Sequence, residues 1–498
     1  MKAGPFNVLA RTKHYCFLRA FIFSQNYFSG GLGYNSRRME KLPKNTAFAF
    51  ESYDVNPETK EVKLNYRLSK DGEDILFTER LVFPPHLKWD NIPAEVLAPA
   101  LQAVHLISGI SYWKAYCPKK IEIKNGSLNK RQAVFWNRVY AKGLGEFFYR
   151  NKIDPRGLIN FPYGSNGSIS RAIELKSYRA KSLLLFGGGK DSLVSAELMK
   201  RAKKKFDFFF VASGALADVA DKLLPKGSII VKRYIDPRLI ELNKKPGVLN
   251  GHIPISMLIA FIAELSALLY GYRYVIFSNE KSADYGNLKY LDKTINHQWS
   301  KSLEAEKMVQ DYTGCWITKS VTSFSLLRPF HEVKIVELFS RLGRKYFKSF
   351  TSCNANFKVF KDRLKKGELW CGHCPKCAFV FAMLSAFLSK KEVLGIFGHR
   401  QSGAGKNLFA DKSLLPLYRE LLGLRKFKPF ECVGTPEEMV YALSRAAKGG
   451  EYARDLVMRM FVDEIVISPA KLKQMEKKLF AKSKDLIPSE FSKTVKLV

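Results

Sequence analysis

The sequence is poor in acid. Against 82 Lys and Arg stand only 46 Asp and Glu in 498 residues, a formal net charge of +36. Such an excess favours polyanions, from nucleic acid to nucleotide substrates. The lysines are nevertheless scattered along the whole chain, with only short clusters such as Lys203-Lys204-Lys205 and those of the C-terminal end. Charge therefore permits a nucleic-acid partner without favouring one. Cysteine is also scarce. Eight in a chain of this length cannot form a disulfide scaffold, and four of them lie as a metal-ligand set, so a reducing cytoplasm is expected. Long uncharged runs are missing too. The longest apolar stretch, Ile253 to Tyr270, holds Glu264 and reads as a buried core helix, so neither a membrane span nor a membrane partner is expected. Cys16 to Phe23 is interrupted by Arg19 and lacks a cleavage site, which argues against a signal peptide. Residues 1–44 read as an N-terminal extension, disordered or upstream of a true start at Met39. Internal repeats and low-complexity tracts are absent.

What remains is an ordinary globular composition, 46% hydrophobic and 26% charged, in a chain long enough for two or three full cores. From Ala47 to Phe83 the pattern is β, with turns at Asn56-Pro57-Glu58-Thr59 and Lys70-Asp71-Gly72. Pro93 to Tyr149 reads mainly as helix, with a strand near Ile121-Glu122-Ile123. An N-terminal α+β domain over 45–176 is expected from this. Strands at Leu183–Phe186, Phe208–Ala212, Ile229–Val231 and Tyr274–Phe277 then alternate with helices at 192–203 and 254–269. That alternation predicts a doubly wound parallel α/β sheet over 177–396, with ligands at the carboxyl ends of its strands. Residues 397–498 read as a helical C-terminal region with basic faces.

The strongest motif is Gly187-Gly188-Gly189-Lys190-Asp191-Ser192. It follows the apolar run Ser182 to Phe186 and opens a segment in which Leu193, Val194, Ala196, Leu198 and Met199 keep helical spacing. A strand, a glycine turn and a helix N-terminus make an anion site, because free N–H groups and the positive end of the helix dipole converge there. The spacing is not that of a Walker loop. It resembles the PP-loop of ATP pyrophosphatases, Ser-Gly-Gly-x-Asp-Ser, with Gly187 in place of the first Ser. The resemblance implies cleavage of ATP to AMP and pyrophosphate, with Asp191 as a ligand to Mg2+.

The second motif is Cys371-Gly372-His373-Cys374-Pro375-Lys376-Cys377, with Cys353 upstream. Four thiolates can close a tetrahedral zinc site, structural because no position is left for substrate; an iron–sulfur cluster is the alternative. A third constellation, Ser278-Asn279-Glu280-Lys281-Ser282-Ala283-Asp284, leaves the strand Val275-Ile276-Phe277 and is followed by Asn296-His297-Gln298-Trp299-Ser300-Lys301-Ser302. Polar groups this dense after a buried strand face a nucleotide crevice, which puts Ser278 and Asn279 with the loop as ATP-binding candidates. Gly403-Ala404-Gly405-Lys406-Asn407 fails the phosphate-loop spacing, and His14, His86 and His399 have no partner pattern.

These segments together resemble the MurL family, the ATP-dependent epimerases that act on a UDP-linked muramoyl dipeptide in peptidoglycan synthesis. The likeness runs through His105 to Ala115, Phe186 to Ser192, Gly251-His252-Ile253-Pro254, Ser278 to Asp284, Asn296 to Ser302, Ser352-Cys353-Asn354, Trp370 to Phe381 and Lys428 to Thr435. It implies inversion of a terminal L-glutamate through an acyl-adenylate, with ATP, Mg2+ and structural zinc. For the proton transfers, His297, His252 and Cys432 titrate nearest neutrality, with Glu280 and Glu431 as carboxylate alternatives. The sequence does not rank them. The rival reading is a PP-loop enzyme that modifies tRNA, and after it a basic zinc-containing binding protein.

Overall fold

A computed structural model of the chain describes residues 42–85, 88–164, 172–175, 179–213, 225–353, 369–398, 405–425 and 428–498. The expectations for the N-terminal extension, for His14, His86 and His399, and for Gly403-Ala404 fall outside those residues.

Three strands, β1 (Thr46–Asn56), β2 (Glu61–Lys70) and β3 (Glu73–Val82), form an antiparallel meander. Asn56 shapes the first turn by accepting from the N–H groups of Glu58 and Thr59, both at 2.9 Å. The second turn has Asp71 and Gly72 at φ 51° and 88°. Strand β4 (Lys120–Ile123) pairs in parallel with β1. Downstream come β5 (Arg179–Leu185), β6 (Phe206–Ser213), β7 (Ile229–Tyr234), β8 (Tyr272–Phe277), the short hairpin β9 (Leu288–Tyr290) and β10 (Lys293–Ile295), and β11 (Thr322–Ser325).

All but the hairpin belong to one nine-stranded sheet of order β11-β8-β5-β6-β7-β3-β2-β1-β4. Its downstream half is parallel, as expected. The N-terminal strands, however, do not make a sheet of their own. β3 joins β7 antiparallel through Arg80↔Tyr234, Leu81↔Arg233 and Val82↔Lys232, and so covers the end of what would be an open edge. At this seam the buried Arg233 guanidinium grips Glu79 with Nε–Oε1 at 2.6 Å, while Tyr112 donates to Glu79 Oε2 at 3.1 Å.

Alternate residues of each parallel strand supply opposite faces, the period-two consequence of the pleat. Leu184, Phe208, Phe210 and Ile276 enter one core, with the helices Lys190–Arg201, Glu332–Leu342, Pro375–Ser385 and Pro436–Lys448. Leu183, Phe209, Val211 and Val275 enter the other, with the helices Ala94–Trp113, Lys130–Gly143 and Ile255–Tyr270. The C-terminal helices are therefore part of the first core rather than an appendage. The helix following β5 and the helix preceding β8 lie on opposite faces, which makes the β5/β8 boundary a topological switch point.

Among the described residues one helix, Ala94–Trp113, is long and apolar enough to cross a membrane. Every residue from Ala100 to Trp113 is buried in the fold. Gln102, His105, Ser108 and Ser111 interrupt its apolar run, which is why Ile253–Tyr270 stands out instead in the sequence.

Candidate active site

The glycine turn lies at the carboxyl end of β5, at the switch point. Gly188 takes φ +65°, a conformation that costs glycine little. Gly189 occupies the N-cap position of the helix Lys190–Arg201 and brings no side-chain cap, so the first helical N–H groups face the turn. Ser192 Oγ donates back to the Gly189 carbonyl at 3.1 Å. Ser278, at the end of β8, meets Ser195 Oγ to Oγ at 2.7 Å and closes the crevice between the two strands. Asn279, beside it, is half-buried.

Lys190 does not point to solvent. Its ammonium is fully buried between Asp191 (2.5 Å) and Glu332 (2.7 Å). Burial works against its charge, but the two carboxylates raise its pKa above the ordinary value. Glu332 in turn holds Lys376 at 3.0 Å, and Lys376 donates to the Cys432 carbonyl. Burial would raise the Glu332 carboxyl, yet Lys190 and Lys376 hold it down at about 2. An ionic chain thus runs from the glycine turn to Cys432. Asp191 is half-buried, with Oδ1 on Lys190, and retains a second oxygen suited to a divalent cation.

The second cluster collects Cys432, His297, His252 and Glu146. His297 Nδ1 shares a hydrogen bond with Glu146, and its Nε2 faces Cys432 Sγ at 3.9 Å. His252 stacks obliquely on His297, ring centroids 4.4 Å apart, with Nδ1 3.8 Å from Glu146. Arg150 closes the far side of Glu146 at 2.5 Å. Lys301 donates to Cys432 Sγ at 3.3 Å. Burial would lift the Cys432 thiol, but Lys301 and His297 bring it down to about 5. Burial would depress His297, but the Glu146 carboxylate and Cys432 raise it to about 10. His252 goes the other way, to about 3, through burial and the neighbouring His297 charge. The result at neutral pH is a thiolate–imidazolium pair beside a neutral imidazole. Glu280, fully buried, is pushed up to about 7 by burial and by Glu332, against the pull of Lys301. Glu431 is buried beside Cys432 in the same loop.

Local sequence explains how distant segments meet here. A β-carbon at Gly143 would lie 2.7 Å from the Pro254 ring; its absence lets the His252–Pro254 segment press onto the end of the helix that leads to Glu146. The β9–β10 hairpin turns through Leu291 and Asp292, both at positive φ, and delivers His297. Asn287 is the clamp. Its side chain accepts from His297 N at 2.8 Å and donates to the carbonyls of Pro429 (2.8 Å) and Lys428 (3.2 Å). Gln298 adds a bond to the Val433 carbonyl at 3.0 Å.

Cys353, Cys371, Cys374 and Cys377 converge at the start of the helix Pro375–Ser385, with all four Sγ atoms within 4.8 Å of one another. The Cys371–Cys377 and Cys374–Cys377 sulfurs are 3.7 and 3.5 Å apart. Thiolates at a zinc–sulfur distance of about 2.3 Å would form a tetrahedron with edges near about 3.8 Å, so the set fits a structural zinc ion. Glu146, His252 and His297 also have metal-ligand spacing. There, however, one carboxylate oxygen is engaged directly by the His297 ring nitrogen, the arrangement of a proton-sharing pair.

Cys432, His297 and His252, found in sequence as isolated candidates, are neighbours in space. Glu146 and Glu332 escaped the sequence reading, and Lys301 and Lys376 entered it only as members of their motifs, with no role. Glu146 had one signal, a single acid in the otherwise apolar Gly145-Glu146-Phe147-Phe148.

Residues 39–326 match the model of the MurL N-terminal domain, and residues 349–476 that of the MurL C-terminal domain. A Micromonospora protein named UDP-N-acetyl-alpha-D-muramoyl-L-alanyl-L-glutamate epimerase is 36% identical over 427 residues, covering 86% of this chain and 92% of its own length. A protein of the same name from Xanthomonas oryzae pv. oryzae is 36% identical over 372 residues, 75% of this chain and 80% of its own. Another from Salinispora tropica is 34% identical over 427 residues, 86% of this chain and 90% of its own.

Proposed function

Since the chain belongs to the MurL family, whose named members are epimerases, we propose that it inverts the terminal L-glutamate of UDP-MurNAc-L-Ala-L-Glu with consumption of ATP. The product would serve peptidoglycan precursor synthesis, and the setting would be the cytoplasm, where ATP and nucleotide-linked precursors occur. The observation that carries this reading is the buried Cys432–His297–Glu146 line. It is wired through Lys376, Glu332 and Lys190 to a helix N-terminus built for phosphate.

The α-proton of a free glutamate carboxylate is a very weak acid, because its removal places a second negative charge beside the first. Attack of that carboxylate on the α-phosphorus of ATP expels pyrophosphate and leaves a mixed anhydride, neutral at its carbonyl. The turn Gly187–Ser192 supplies backbone donors for the departing phosphates. Mg2+ held by Asp191 would neutralise part of their charge. We assign Cys432 thiolate as the base that takes the α-proton and becomes a thiol. His297, kept cationic by Glu146, holds that thiolate ionised. With Sγ and Nε2 only 3.9 Å apart, the α-carbon does not fit between them, so the proton for the opposite face comes from another group. Glu280 suits that role. Burial raises its pKa to about 7, so a substantial fraction carries the proton near neutrality, and Lys301 interacts with both its carboxylate and the thiolate. Water then cleaves the anhydride, releasing AMP and the D-glutamyl product.

The Cys353, Cys371, Cys374 and Cys377 set would hold zinc as a structural ion. The PP-loop identity of Gly187–Ser192 belongs to the same proposal.

The test is turnover in deuterated water with ATP and UDP-MurNAc-L-Ala-L-Glu. AMP, pyrophosphate and D-product carrying deuterium at the glutamyl α-carbon are expected. Cys432→Ser should lower exchange by about 100- to 10,000-fold. Asp191→Ala should abolish ATP cleavage. Release of ADP and phosphate, or an undeuterated L-configured product, would overturn the reading.

A further inference from the structure

The substrate proposed above is much larger than the dipeptide end on which the chemistry occurs. Its other end is a nucleoside diphosphate joined to an amino sugar. The crevice at Gly187–Ser192 is already suited to ATP, so a second anion-binding surface is required. A cavity of about 1,040 Å³ lies beside the acid–base cluster, under the β9–β10 hairpin, and none of Gly187 to Ser192 lines it. That volume is at the upper end for small-molecule sites and suits a long ligand rather than an amino acid.

Its walls come from the same two segments that carry the chemistry. Gly145 lines the cavity while Glu146, next in sequence, holds His297. Asn296, Trp299 and Ser302 line it while His297 and Lys301 sit on Cys432. The cavity is also electropositive. Arg138 and Lys142 share Glu304, with Lys142 Nζ at 2.7 Å, and Lys307 is matched by Asp311 at 3.0 Å. Among the described residues Lys293 on the hairpin makes no direct ion pair, though its charge reaches Asp154, and Lys484 on the C-terminal segment makes none either. They come from segments far apart in sequence and meet at one cavity, both exposed to solvent. Tyr290, on the hairpin, offers an aromatic face in the same lining. Two ammonium groups without a direct ion pair and an aromatic ring in a large groove are the chemistry that recognises a diphosphate and a nucleobase.

We propose that this groove binds the nucleoside diphosphate end of the substrate, with Lys293 and Lys484 as its phosphate contacts and Tyr290 as a platform for the base. The proposal rests on the epimerase reading for the identity of the ligand, but not for its own test.

Binding of UDP alone to the full-length protein, by titration calorimetry without ATP, is independent of turnover. The variant Lys293→Glu/Lys484→Glu changes exposed side chains, and its melting temperature controls for folding. It should weaken UDP binding by about tenfold or more, since each charge-assisted contact is worth more than 1.4 kcal/mol. KM for the UDP-linked dipeptide should rise equally, with kcat and ATP affinity unchanged. UDP bound equally by variant and wild type overturns the groove, as does undetectable UDP binding to the wild type or a parallel loss of ATP binding in the variant. A wild type that inverts glutamate while UDP ignores these lysines refutes the groove alone. A wild type that binds UDP through them yet inverts nothing refutes the epimerase reading alone.

Discussion

Glu146 touches neither Cys432 nor, in the proposed chemistry, the substrate, yet the state of the thiol depends on it. Its carboxylate keeps His297 cationic, and that cation, together with the stronger pull of Lys301, keeps Cys432 ionised down to about pH 5. Replacing Glu146 by Gln removes the charge and retains the shape. His297 should then titrate well below about 10, the thiolate should lose a cation, and the Cys432 pKa should rise. With the thiolate as the proposed base, the acid limb of the exchange rate, expected near pH 5 in the wild type, should move upward by about one pH unit or more. Thiolate absorbance in the ultraviolet should shift in parallel. A limb that stays in place, with only a lower plateau, would mean that Glu146 merely packs. The residue escaped sequence reading for a physical reason: its partner His297 is 151 positions away, and nothing local marks a carboxylate for a distant ring.

At the scale of elements, the sequence was legible wherever one period dominated. The runs Leu183–Phe186 and Phe208–Ala212 are apolar on both faces because both faces are covered, and they became β5 and β6. The glycine turn was legible because a strand, three glycines and a helix leave few alternatives. The hairpin was not. Leu288-Lys289-Tyr290 and Lys293-Thr294-Ile295 are too short to show alternation, and their turn uses Leu291 and Asp292 instead of glycine. That unmarked element brings His297 to Cys432, and Asn287 fixes it there. Asn287→Ala would leave the His297 N–H and the Pro429 and Lys428 carbonyls without this partner. A stability loss of about 1–3 kcal/mol is expected. Proton exchange should slow on the order of ten- to a hundredfold through misplacement of His297, with ATP cleavage largely retained. Equal losses in both activities would refute a positioning role.

For the whole molecule, the cysteine cluster is part of the main core. Cys353, Cys371 and Cys377 pack with Phe381, Phe397 and Tyr418, in the same apolar body as the helix that follows the glycine turn. Loss of a metal there should loosen that face of the sheet as a unit. Fresh reduced protein should carry about one zinc per chain, as a closed four-thiolate site requires. Chelation or Cys371→Ser should cost more than about 4 kcal/mol in denaturant unfolding. Elemental analysis without zinc or iron, or unchanged unfolding after chelation, would remove the structural role. One sheet takes strands from both sides of the boundary expected near residue 176, and strand pairing carries no local signature: nothing in Arg80-Leu81-Val82 announces Tyr234 as a partner.

That seam also matters before the molecule is finished. Glu79 and Arg233 are separated by 154 positions, so on the ribosome the meander is complete long before β7 has been synthesised. Until then the Arg80–Val82 end of β3 is an open template for any passing strand, continuous with the rest of its outer edge. It bears Glu73, Asp74, Glu79 and Arg80, and a row of charges is what keeps such an edge from recruiting a neighbouring nascent chain. The carboxylate of Glu79, buried against Arg233 in the finished fold, would thus act first as a deterrent to aggregation and only later as half of an ion pair.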